Sequence, residues 1–231
     1  MNKRVYNGTF GKIVRTLGFL LVLGSSVFLA TALILENDSL PFIDNLTPFA
    51  DMLNNMLAGM PFVSEYAGIA LIAGLIMLLW AIRRGLILRI VLTAVLVFVF
   101  IESAISGTSP IVPIALPSPD WLTSVLSSVS GLVNQLTAIS PYIVPGAGIA
   151  APFLLWMLFA TKKPGRLSIF MLRIGSTTLF LAALMAAIAN VFVTSLLTVD
   201  IYSTITIAFY IVTYLFFILG GAFGVLGFTR K

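Results

Sequence analysis

Residues 67–102 read AGIALIAGLIMLLWAIRRGLILRIVLTAVLVFVFIE. Two apolar runs flank Arg83-Arg84-Gly85, and Arg89 is the one further charge before Glu102. A helix that crosses a bilayer needs about 20 largely apolar residues. A short turn bearing arginines is retained on the cytoplasmic side. The stretch therefore predicts a transmembrane hairpin whose turn faces the cytoplasm.

Working outward, the same pattern predicts six spans, near 13–35, 67–82, 86–105, 142–160, 168–195 and 203–228. The expected fold is an all-α polytopic membrane protein forming a single transmembrane domain over residues 1–231. Composition agrees. Hydrophobic residues make up 60% of the chain and charged residues 9%, with a mean hydropathy of +1.12. So few charges cannot cover the surface of a soluble globule, which typically carries about 25% charged residues. A soluble enzyme, a disordered chain and a nucleic-acid-binding globule with a basic face are excluded.

Cysteine and histidine are both absent. Disulfides, thiolate or imidazole metal sites and Cys- or His-based catalysis go with them. The eight carboxylates do not cluster with other ligands. No catalytic residue, metal or cofactor is expected.

The positions of the charges say more than their number. The 13 basic residues fall in four clusters. These are Lys3, Arg4, Lys12 and Arg15; Arg83, Arg84 and Arg89; Lys162, Lys163, Arg166 and Arg173; and Arg230 with Lys231. The 8 acidic residues lie in the alternate gaps: Glu36, Asp38, Asp44, Asp51 and Glu65; then Glu102 and Asp120; then Asp200. The loop-charge rule places both termini inside, in a cytoplasmic membrane, with three outer connections. The net charge of +5 is thus an orientation signal. Ala30-Thr31-Ala32 fits a signal-peptide cleavage pattern, but the long basic leader and apolar run favour a retained first span.

Two outer connections carry amphipathic helices. Thr47-Pro48 predicts the start of one, with a capping hydroxyl and then proline at the first helical position. Phe49, Met52, Leu53, Met56, Leu57 and Met60 share its apolar stripe. Ser118-Pro119 predicts the start of the second, striped by Leu122, Val125, Val129, Leu132, Leu136 and Ile139. Neither carries a basic residue, which favours burial against protein over attraction to anionic lipid. Before the second helix, Pro110, Pro113, Pro117 and Pro119 mark a non-helical stretch. Asn37-Asp38-Ser39 and Asn45-Leu46-Thr47 match the glycosylation acceptor pattern, a pattern short enough to recur by chance.

The spans also suggest an internal repeat, with convergence as the alternative, since a snorkelling arginine inside and an aromatic outside suit any hairpin. Arg15, Arg89 and Arg173 each sit among apolar residues near the inner end of an odd-numbered span. Tyr66, Tyr142 and Tyr202 stand at the outer ends of the even spans, and Ala67-Gly68-Ile69-Ala70 recurs as Ala147-Gly148-Ile149-Ala150. The units would be the hairpins 1–82, 83–160 and 161–231.

No ionisable residue sits at mid-membrane, which argues against a proton-coupled pump. The candidate cavity or transport residues are Glu102, Pro145, Gly146, Asn190 and Tyr210. Pro145, Gly146, Gly148 and Pro152 fit a tolerated kink or a late start of the fourth span; the alternative is a broken helix that exposes backbone to a cavity. Gly220, Gly221, Gly224 and Gly227 form a small-residue face suited to close helix packing.

Residues 47–105 run amphipathic helix, glycine-bearing span, Trp80, Arg83-Arg84-Gly85 and a second span. Residues 118–190 repeat this plan with Trp156 and Lys162-Lys163-Pro164-Gly165. In outline the plan resembles that of two-helix conjugative pilins, although this chain has three hairpins where those have one. The resemblance implies a membrane component of a secretion or DNA-transfer machine.

The expected function is that of a non-enzymatic integral membrane subunit or scaffold of a larger complex. The alternative is a small channel or transporter, with the outer amphipathic helices as lids. Expected partners are membrane lipid and other membrane subunits, or further copies of the chain. No direct nucleic-acid contact is expected.

Overall fold

The computed structural model describes residues 9–37, 43–57, 61–81, 85–106, 111–113, 119–139, 143–160, 167–192 and 196–226. Among them are eight helices and no strand: α1 Thr9–Glu36, α2 Thr47–Leu57, α3 Pro61–Ala81, α4 Leu86–Ser106, α5 Asp120–Ile139, α6 Ile143–Phe159, α7 Leu167–Phe192 and α8 Leu196–Val225. Three apolar stretches are long enough to cross a membrane: Thr9–Glu36, Leu167–Ile188 and Ile201–Val225. The chain is therefore all-α and compatible with a membrane-embedded protein. Tyr66–Ala81, Leu86–Ile101 and Gly146–Phe159 are apolar but shorter. At 1.5 Å per residue such stretches reach about 25 Å at most, against a hydrocarbon core of about 30 Å.

The helices pack in a closed cycle. α1 lies against α3, α3 against α4, α4 against α6, α6 against α7, α7 against α8, and α8 returns to α1. Order around the cycle is order along the chain, with α2 lying against α1 and α5 against α4 and α6. Neighbours run antiparallel. Gly18 faces Leu78 and the Gly74 carbonyl, while Gly74 faces Leu21 and Val22. Gly221 faces Leu23, and Gly224 faces Phe19. Gly175 meets Phe217 and the Thr213 carbonyl. The ring thus has a basic end, with Lys12, Arg15, Arg89 and Arg173, and an acidic end, with Glu36, Asp44, Asp51 and Asp120.

The interior is apolar and close-packed. Phe19, Leu29, Leu71, Leu75, Leu78, Leu92, Leu96, Leu155, Leu158, Leu172, Leu179 and Phe217 are buried in one continuous core. At the basic end two tryptophans clamp successive helices. The Arg89 guanidinium lies 5.8 Å over the Trp80 ring, and Trp80 Nε1 donates to Thr93 Oγ1 at 3.2 Å. The Arg173 guanidinium lies 5.4 Å over Trp156. Cation–π pairs contribute about 0.5–2 kcal/mol each, more as they lose water.

One local expectation is corrected and one alternative is set aside. Thr47 does not cap α2, because the chain already turns at Ile43–Leu46. Leu46 and Thr47 both donate their N–H to the Ile43 carbonyl, at 2.7 and 3.1 Å. The Thr47 hydroxyl bonds back to that same carbonyl at 3.3 Å. The fourth expected span is also not broken, since Ile143–Phe159 is one helix with Pro152 inside it. Pro145 falls in the first turn, where no intrahelical N–H is required. Pro152 removes one backbone bond, and flanking packing by α4 and α7 keeps the helix continuous.

Candidate functional site

The polar residues in the middle of the ring come from α7 and α8. Thr178 Oγ1 and Thr213 Oγ1 lie 2.8 Å apart, joining the two helices. One of the two donates to the other, and its partner donates within its own helix, either Thr178 to the Gly175 carbonyl at 2.9 Å or Thr213 to the Phe209 carbonyl at 2.8 Å. A hydroxyl that bonds three or four residues back needs no solvent in an apolar interior. Ser25, Thr31 and Ser176 do the same, to Leu21, Val27 and Leu172.

One turn on from Tyr210, Tyr214 is fully buried, and its hydroxyl donates to the Ile111 carbonyl at 2.7 Å. Ile111 belongs to the connection between α4 and α5. This long-range bond is the most specific polar contact in the interior, and it uses a residue outside the candidate set. Its sequence signal is faint: no charge occurs between Glu102 and Asp120, which is unusual for an exposed loop.

The candidate cavity residues do not form one cluster. Glu102 lies in the last turn or so of α4, Pro145 and Gly146 in the first turn of α6, and Asn190 near the end of α7. All three positions are at the acidic end of successive helices in the cycle. The side chains of Glu102, Pro145 and Asn190 lie outside the described residues, and Gly146 is exposed with open space around it. Tyr210 is buried and much deeper. Thr178 of α7 is level with Thr213 of α8. Asn190 is twelve residues, about 18 Å, beyond that level, whereas Tyr210 is three residues, about 4.5 Å, beyond it.

The glycine face of α8 lies inside the ring. A Cβ at Gly220 would meet Leu172 and the Ser168 carbonyl of α7. At Gly221 it would meet the Leu23 backbone of α1, and at Gly224 the Phe19 ring. Gly227 lies outside the described residues. Successive glycines therefore face both neighbours of α8, at the join between the last helix and the first. Gly18, Gly74 and Gly175 make equally close approaches elsewhere and were not among the candidates.

The amphipathic helices have more than one face. In α2, Ala50 is buried, yet Phe49, Met52 and Met56 are 57%, 51% and 68% exposed. For these three residues of the stripe the expected burial against protein is not found within this chain; the Leu57 side chain and Met60 lie outside the described residues. In α5, Leu122 and Leu126 are buried while Trp121 and Val125 are exposed. Trp121 Nε1 donates to Tyr66 Oη of α3 at 3.3 Å, tying the two elements together at the acidic end. Among the described residues no group of acidic side chains could hold a metal ion. The chain matches no family model, no curated protein and no solved structure.

Proposed function

We propose that the chain is a non-enzymatic, six-span integral membrane protein that serves as a subunit of a larger membrane assembly. Its basic end would be cytoplasmic and both termini inside. The observation that carries this is the apolar, close-packed interior. The Thr178, Thr213 and Tyr214 hydroxyls there are bonded to backbone or to one another, and no described charge lies in it at mid-depth to bind a solute. Six spans are supported by the cycle itself, since the three shorter apolar helices lie between the longer ones. Tilt or local thinning accommodates a span a few ångströms short. Three hairpins placed in chain order around one ring also support an origin by repetition.

A second function is favoured by a different observation. A closed cycle of six helices is also an arrangement in which a small channel or transporter could be built. Purification in a mild detergent separates the two. A stoichiometric second membrane protein is expected to co-purify. A monodisperse single species that carries ions or solute in liposomes would overturn the subunit proposal.

A further inference from the structure

Two consecutive glycines of α8 fix the heights of its neighbours. A Cβ at Gly220 would meet Leu172 of α7, and one at Gly221 would meet Leu23 of α1. Leu172 and Leu23 are therefore level. A Cβ at Gly74 of α3 would meet Val22, so Gly74 shares that height. Arg173, next to Leu172, stands there too. Arg15 is eight residues from Leu23, about 12 Å nearer the basic end. Trp80 is six residues from Gly74, about 9 Å nearer that end, and Arg89 lies over its ring. The backbone of Arg173 is thus held roughly 10 Å deeper than those of Arg15 and Arg89.

The two tryptophan clamps also face different ways. Arg89 is 5% exposed. Arg173 is only partly buried, and Phe170 and Thr177, one turn before and after it on the same side of α7, are exposed. Across the groove, Phe153 and Met157 of α6, beside Trp156, are exposed as well. Phe153 stacks on Trp156 and tilts against Phe180, each at 5.9 Å. Arg173 therefore lies on the outer face of the ring, in an aromatic groove between α6 and α7. The described acidic side chains, Glu36, Asp44, Asp51 and Asp120, stand at the opposite end.

A charge facing lipid is costly unless it reaches the interface or the bilayer thins and brings polar groups to it. Trp156 offers the guanidinium a ring face but no hydrogen-bond acceptor. The planar fork of an arginine matches the oxygens of a phosphate. We propose that Arg173 and Trp156 form a site for one anionic phospholipid of the cytoplasmic leaflet. Its phosphate is drawn inward to the guanidinium, and an acyl chain lies along Phe153 and Phe180. A zwitterionic headgroup would carry its own cation to that depth and leave the site charged, whereas a singly negative one leaves it neutral. The site rests on the six-span reading with a cytoplasmic basic end, and adds a lipid partner to it.

The chain has three tryptophans, so Trp80→Phe with Trp121→Phe leaves Trp156 as the sole fluorophore. This protein is reconstituted in liposomes containing dibrominated phosphatidylglycerol or dibrominated phosphatidylcholine in both leaflets, and quenching of Trp156 is read. The anionic lipid is expected to be preferred about fivefold, the strength of one arginine–lipid charge pairing. Arg173→Gln is expected to abolish the preference, and Arg173→Lys, which keeps the charge and loses the fork, to weaken it. Equal quenching by the two lipids in the protein that keeps Arg173 would overturn the site. So would a preference unchanged in Arg173→Gln. Quenching by neither lipid would overturn the membrane placement itself, and the site with it.

Discussion

At Gly224 the backbone of α8 lies so close to the Phe19 ring of α1 that a side chain has no room. Overpacking a tight site costs about 1–3 kcal/mol. Gly224→Leu is therefore expected to lower the thermal stability of the detergent-solubilised protein, read as loss of the monodisperse peak after heating. Gly146→Leu, at a position with open space around it, should leave that peak unchanged. Equal melting of the two variants would contradict the α1–α8 contact. The spacing of Gly220, Gly221, Gly224 and Gly227 made a close approach legible from the sequence. It did not say which helices approach, because Gly220 and Gly221 face opposite neighbours. Gly18 and Gly74 carry no such spacing, and only the folded pairing shows that they meet.

Elements repeat this division between what is local and what is not. Periodicity placed amphipathic helices near 47 and 118, and α2 and α5 are there. It did not specify what their stripes face, because a stripe records which residues share a side and nothing about the neighbour. In α2 the small Ala50 meets the bundle, and Phe49, Met52 and Met56 point away. In the proposed topology this apolar face would lie in the boundary between headgroups and acyl chains. An environment-sensitive fluorophore on Phe49→Cys is expected to emit further to the blue than one on Asn54→Cys. A shallow nitroxide lipid should also quench it more strongly. Equal emission and quenching at the two sites would place that face in water. The bond from Tyr214 to Ile111 was hidden for the same reason as the stripe's partner. An apolar, proline-rich stretch reads locally as a linker, and Ile111 finds Tyr214 only across 103 residues.

For the whole molecule, charge position was the strongest signal, since the basic and acidic groups that alternate along the chain gather at opposite ends of the ring. This yields a direct test of topology. Single cysteines at Asn45 and Ser128 should react with an impermeant maleimide in sealed cells, and one at Gly165 only after lysis. External labelling at Gly165 would invert the proposed orientation. The cycle of packing has a further consequence for how the protein is made. Every contact around it joins ring helices that follow one another in the chain, with at most α2 or α5 between them, except that between α1 and α8. The first seven helices can therefore associate in the order in which they leave the ribosome. Until α8 arrives, however, the side of α1 bearing Phe19 and Leu23 faces lipid, and the Ile111 carbonyl has no Tyr214. Assembly in that order would pass through a C-shaped intermediate whose two open edges, on α1 and α7, are joined by one final helix. A chain stalled before α8 would present the membrane's quality-control proteases with an unmated seam.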